Sequence, residues 1–222
     1  MKNGLGTKML FHNRHTAGKQ LAEKLQKYRG KPSVIVLAIP RGGLQVGYEL
    51  AVGLKAPLDI VVTKKIPAPG NEELAIGSVG PGREVILYDE LVRMYDVEDD
   101  YIARHADRLH EAIERRYAEY HNTEKPTFPD LKNKIVIITD DGIATGYTML
   151  AAIQYIKKQK PAKLIVAVPV SAKDTADRIR ADVDELIVLH IPLYFMAVGQ
   201  FYDNFPQVED DEAKEYLRKA NS

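Results

Sequence analysis

The chain has 222 residues, 45% of them apolar and 28% charged, the balance of a globular domain large enough to bury a core without covalent staples. Lysine plus arginine equals aspartate plus glutamate at 31 each, so net charge points to neither nucleic acid nor an anionic membrane as a partner. There is no cysteine, which excludes disulfides, thiolate zinc sites and a cysteine nucleophile, and which fits a cytoplasmic protein.

The N-terminal text MKNGLGTKMLFHNRH lacks the apolar stretch of a signal peptide, and no apolar run is long enough to cross a bilayer. Residues 17–28 then predict a helix with Leu21 and Leu25 on one face. The β-branched run 33–39 (SVIVLAI) predicts a buried strand, broken by Pro40-Arg41-Gly42-Gly43, and 44–54 a second helix. Residues 58–63 predict another strand, and the Pro- and Gly-rich stretch 64–73 (KKIPAPGNEE) a loop. Residues 75–79 and 84–88 predict a hairpin around Gly80-Pro81-Gly82.

Between 97 and 121 the text turns charged, with Tyr101, Leu109, Ile113 and Tyr117 near helical spacing, which predicts an inserted helix. It is a candidate for a dimer contact, a cover over an acceptor pocket, or plain scaffold. Strands at 134–139, 163–170 and 185–190 alternate with helices at 146–158 and 172–181, and a final helix is expected over 210–219. Apolar bursts alternating with amphipathic stretches predict a single α/β domain over 1–222, an open and mostly parallel sheet with helices on both faces. Residues 191–222 form a less regular C-terminal hood and tail.

The most informative text is 135–148, IVIITDDGIATGYT. A buried strand ends in Asp140 and Asp141, a loop of small residues follows, and a helix begins. In open parallel sheets ligands bind beyond the carboxyl ends of the strands. Small residues let backbone amides converge on one anion, and the helix start adds a favourable dipole. Thr145 and Thr148 can add hydroxyl donors. The acids repel phosphate, but they suit sugar hydroxyls or magnesium. A ribose bearing a phosphate asks for both features at one place.

This segment resembles the PRPP-binding motif of type I phosphoribosyltransferases, PRPP being phosphoribosyl pyrophosphate. The resemblance implies that Asp140 and Asp141 hold the ribose hydroxyls. It implies too that Gly142, Ile143, Ala144, Thr145, Gly146, Tyr147 and Thr148 wrap the 5′-phosphate. Arg41, Gly42 and Gly43 are similar to the family's pyrophosphate loop, and Lys64 and Lys65 to the start of its mobile covering loop. Arg41 and Lys65 are then the candidates for neutralising pyrophosphate. The segments FHNRHTAGKQLA, IPRGG, KKIPAPGNEELAIGSV, DDGIATG and AVGQFYDNF together resemble a group of stand-alone phosphoribosyltransferase proteins.

What the resemblance implies is a Mg²⁺-dependent transfer of a phosphoribosyl group from PRPP to a nitrogenous base, a purine, as in purine salvage, by a homo-oligomer such as a dimer. The stretch 195–204 is similar to the hood of 6-oxopurine enzymes, which gives Phe195 as the residue stacking on the base and Asp203 as a metal ligand beside Asp140 and Asp141. Ala144 departs from that subgroup, whose phosphate loop carries a carboxylate there. A second reading is a non-catalytic sensor of PRPP or nucleotides on the same fold. Neither GxxxxGK[ST] nor GxGxxG occurs, against a kinase or NAD enzyme.

Overall fold

The computed structural model describes residues 10–222; residues 1–9, read above for an apolar leader, lie outside them. In chain order the elements are α1 (Arg14–Lys24), β1 (Val34–Ala38), α2 (Gly43–Leu54), β2 (Leu58–Ile60), β3 (Lys64–Ala68), β4 (Asn71–Val79), β5 (Val85–Leu87) and α3 (Asp89–Met94). After these come α4 (Asp99–His121), β6 (Ile135–Thr139), α5 (Tyr147–Lys158), β7 (Lys163–Val170), α6 (Lys173–Arg180), β8 (Glu185–His190) and α7 (Asp210–Ala220).

Five strands form one parallel sheet in the order β2-β1-β6-β7-β8. Side chains alternate between its faces, as the two-residue period of a strand requires. Val34, Val36 and Ala38 of β1, with Ile137 and Ile165, join Leu21, Leu44, Leu50 and Leu217 from α1, α2 and α7. Ile35 and Leu37, with Val136, Ile138 and Val166, face Met149, Ile153, Ile156 and Ile179 from α5 and α6. The expected α/β sheet with helices on both faces is therefore present. No helix among the described residues is long and apolar enough to cross a membrane.

Three expectations need correction. Residues 64–73, expected as a loop, are mostly strand: β3 and β4 pair antiparallel, and β5 adds a third strand to this smaller sheet. The Pro69-Gly70 text that suggested a loop is only its turn, with Gly70 at φ +72°. Ile66, Ala68, Ile76 and Val79 are buried, while Pro67 sits where the register shifts, the place a strand tolerates a residue without an N–H. The first helix starts at Arg14 instead of residue 17, because Asn13 caps it. The Asn13 side chain accepts from the Thr16 amide at 2.9 Å, and the Thr16 hydroxyl oxygen accepts from the Asn13 amide at 3.1 Å. Finally, the short helix α3 is absent from the sequence-based expectation; it buries no residue and so shows no apolar stripe.

The inserted helix α4 lies over the smaller sheet, packing on β3 and β4 through a face that includes buried Ile102, Ile113 and Tyr117. The Tyr101 hydroxyl donates to the Pro67 carbonyl at 3.2 Å.

Candidate active site

The chain runs outward from β1 to the edge strand β2 and later returns as β6 on the other side of β1. That reversal makes a crevice at the carboxyl ends of β1 and β6, where open α/β sheets bind ligands. The two strands are in register, Ala38 opposite Thr139, and the Ile39 amide donates to the Thr139 carbonyl at 2.9 Å. Residues 40–43 and 140–148 therefore emerge side by side.

Their contact is close. A Cβ on Gly42 would lie 2.0 Å from Asp141 Oδ2, and one on Gly43 would lie 3.0 Å from the Asp140 Cα. Only glycines let the two loops approach this far. The Pro40–Arg41 peptide is cis.

The two acids have different surroundings. Asp140 Oδ1 accepts from the Asp141 amide at 2.8 Å. Burial raises the Asp140 carboxyl well above the usual carboxylate range, and the charge of Asp141 beside it adds to the rise. Burial raises Asp141 as well, opposed by the Arg14 guanidinium, whose Nε donates to Asp141 Oδ2 at 2.8 Å. The Asp141 carbonyl accepts from the Tyr202 hydroxyl at 2.6 Å.

The loop after the acids has its carbonyls tied back; the Ile143 amide donates to the Val170 carbonyl at 2.9 Å, and the amides that follow are left free. The Ile143 carbonyl accepts from the Ala172 amide at 3.0 Å, the Ala144 carbonyl from Thr175 Oγ1 at 2.7 Å, and the Thr145 carbonyl from Arg178 Nη2 at 2.8 Å. Gly146 caps α5 at φ +80°, where an added Cβ would also lie 2.4 Å from Thr175 Cγ2. Among the described residues, the amides of Ala144, Thr145, Gly146, Tyr147 and Thr148 have no hydrogen-bond acceptor. Ala144 and Thr145 are exposed and Ile143 is buried. Orphan amides at the start of a helix, held by carbonyls turned the other way, are an anion cradle. Tyr147 at the head of α5 stacks on Tyr88, ring centroids 3.7 Å apart, which links the loop to the smaller sheet.

The expected cations and hood residues are placed more loosely. Arg41 is half-buried, with Nη1 3.7 Å from Asp210 and 4.0 Å from Glu209 at the start of α7. Lys64 and Lys65 are exposed at the start of β3. Phe195 is half-buried, 5.4 Å from the Phe201 ring. Asp203 lies 3.6 Å from His12 Nδ1 and its side chain is 51% exposed. Among the described residues no group of three or more acids or histidines is arranged to hold a metal.

Reading the sequence missed Arg14, Thr175, Arg178 and Tyr202. Each acts on the loop or the acids from far along the chain, 127 residues away for Arg14 and Asp141. Arg14 and Tyr202 do fall in segments that carry the family resemblance, FHNRHTAGKQLA and AVGQFYDNF, which is the one signal that could have drawn attention to them.

The family model described as "Phosphoribosyl transferase domain" matches residues 7–202. The chain belongs to this family. Its phosphoribosyl transferase domain thus includes both loops and the C-terminal segment through Tyr202, while α7 lies beyond the match. Two Mycobacterium tuberculosis proteins are similar to it, "Putative phosphoribosyl transferase Rv0571c" of strain H37Rv and its counterpart in strain CDC 1551. Each is 40% identical over 213 residues, covering 96% of this chain and 47% of the relative. The chain therefore spans about half the length of the curated relatives it matches. Among solved structures, TT1426 from Thermus thermophilus superposes with a TM-score of 0.79 at 36% identity, over 95% of this chain and 99% of that one.

Proposed function

We propose that the protein binds PRPP at the β1/β6 edge and transfers its 5-phosphoribosyl group to a nitrogenous base, a purine, releasing pyrophosphate. The observation that carries this is the pairing of a free-amide loop, 144–148, with two carboxylates at its strand side, Asp140 and Asp141. The loop suits the 5′-phosphate, and the acids suit the ribose 2′- and 3′-hydroxyls. Residues 40–43 then border the 1-pyrophosphate, with Arg41 and Lys65 as its cations. Arg41's present contacts with Glu209 and Asp210 are long and exposed, so they cost little to exchange for a pyrophosphate.

In the transfer the C1–oxygen bond breaks, pyrophosphate leaves with the electron pair, and a base nitrogen forms the new bond to C1. The protein's part is to orient both reactants and to stabilise charge on the leaving group. Ala144 gives the phosphate loop no side-chain base, so the acceptor's proton is not taken from within the loop. Phe195 is the proposed stacking partner of the base. Asp140 and Asp141 are hard oxygen donors that fit Mg²⁺, an ion commonly held by one or two carboxylates together with substrate phosphates. When bound, magnesium neutralises charge on the pyrophosphate. The role fits purine salvage in the cytoplasm.

The test is pyrophosphate release from PRPP and Mg²⁺ against adenine, hypoxanthine, guanine, xanthine, uracil and orotate. Release dependent on one purine, and lost with chelator, is expected. PRPP binding with no turnover of any base would favour the sensor reading, and no PRPP binding would overturn both.

A further inference from the structure

Arg14 is the only buried arginine among the described residues, and its side chain is 5% exposed. Placing a guanidinium there is costly unless each donor finds a partner. Its Nε donates to Asp141 Oδ2 at 2.8 Å, its Nη1 donates to the Pro206 carbonyl at 2.8 Å, and its Cζ lies over the Phe205 ring, 3.6 Å from the ring centre. Gly42 packs against the same oxygen, with no room for a Cβ.

The backbone places Arg14 where it can do this. Residues 10–12 pair with 201–204 beside the sheet: the Leu10 and Phe11 amides donate to the Phe201 carbonyl at 3.1 and 3.0 Å. The Asp203 and Asn204 amides return bonds to the Phe11 and His12 carbonyls, each at 2.9 Å. The Asn13 cap then starts α1 at Arg14. Tyr202, from the same C-terminal segment, holds the Asp141 carbonyl. The side chain and the main chain of Asp141 are both fixed by one strap.

We propose that Arg14 is a positioning residue for ribose binding: it fixes the Asp141 carboxylate and ties it to the C-terminal segment 201–206. One acceptor site of Oδ2 is committed to Arg14, and that bond aims the remaining acceptor sites of the Asp141 carboxylate at the ribose hydroxyls. The phosphate cradle, held by Ala172, Thr175 and Arg178, does not depend on Arg14. The inference rests on the site assignment proposed above, and it predicts that the two halves of the site separate on mutation.

The experiment titrates ribose 5-phosphate and inorganic phosphate into the full chain and into Arg14→Gln, Arg14→Lys and Tyr202→Phe. Wild type should bind ribose 5-phosphate more tightly than phosphate. Arg14→Gln should lose roughly tenfold to a hundredfold of ribose 5-phosphate affinity, the size usual for a group that orients a ligating carboxylate, with phosphate affinity kept within about twofold. Arg14→Lys should recover only part of it, since a point cation cannot serve both partners of the guanidinium. Tyr202→Phe should show the same pattern more weakly. A folded Arg14→Gln that keeps the wild-type preference for ribose 5-phosphate would overturn the proposal. If that variant does not fold, an unchanged preference in both Arg14→Lys and Tyr202→Phe overturns it equally. A wild type with no preference over phosphate would refute the ribose assignment itself, a different result from any of these.

Discussion

At the scale of single residues, the two neighbouring acids should answer differently to the same change. Asp140 has no cationic partner within hydrogen-bonding distance among the described residues, and asparagine there keeps an oxygen for the Asp141 amide. Asp140→Asn should therefore melt within a few degrees of wild type while binding PRPP at least about tenfold more weakly, a loss of about 1.4 kcal/mol. Asp141→Asn instead leaves Arg14 buried without its counter-charge. Breaking a buried pair from one side costs about 3–5 kcal/mol, or roughly 10 °C in a domain of this size. Thermal denaturation and calorimetry on the two variants check this, and equal melting temperatures would contradict the Arg14 contact. Gly42→Ala should remove PRPP binding as completely as the loss of an acid, because its Cβ would lie 2.0 Å from Asp141 Oδ2.

At the scale of elements, α6 braces the loop 144–148. Thr175 is 3% exposed and its hydroxyl donates to the Ala144 carbonyl. Thr175→Val keeps the volume but removes the bond that holds that carbonyl, at about 1 kcal/mol. Its KM for PRPP should rise several-fold, with kcat less affected; steady-state kinetics that leave KM unchanged would show that the brace is dispensable. The loop itself is legible from sequence because everything it needs is local: a β-branched strand, two acids, small residues and a helix start within 135–148. The brace is not, since Thr175 is one threonine among helical residues and only β7 and its turn bring it to Ala144. The reading of 64–73 as a loop fails for a related reason. Pro67, Pro69 and Gly70 carry strong local turn signals, yet the burial of Ile66 and Ala68 beneath α4 outweighs them, a tertiary effect absent from the local text. Arg14 lies hidden in a capping segment that the expectation of a helix from residue 17 passed over, and its partner Asp141 lies 127 residues away, beyond the end of β6.

At the scale of the whole molecule, the site depends on edges being held. The inserted helix α4 is latched to edge strand β2: His121 Nε2 lies 3.0 Å from Asp59 Oδ1, and the Tyr117 hydroxyl donates to Asp59 Oδ2 at 2.7 Å. The hydrogen bond to Asp59 raises His121 above its ordinary value of 6.5, against the burial that lowers it. A histidine raised in the folded state binds its proton more tightly there than when unfolded. Its contribution is complete below pH 6.5 and disappears as pH climbs through the raised folded value. Urea denaturation should therefore find His121→Gln most destabilised relative to wild type near pH 5.5 and least near pH 8.5. A gap that widens toward alkaline pH would show that the charged form is not what holds the latch.

The sheet order reaches the same conclusion from above, since the reversal between β1 and β6 is the one place where the glycine loop, the acids and the free amides meet. The most direct measurement of that claim is a crystal structure of the full chain with PRPP and Mg²⁺. The account predicts the 5′-phosphate on the amides of residues 144–148 and the ribose hydroxyls on Asp140 and Asp141. A ligand bound elsewhere, or a phosphate seated on residues 40–43 with the 144–148 amides empty, would contradict it.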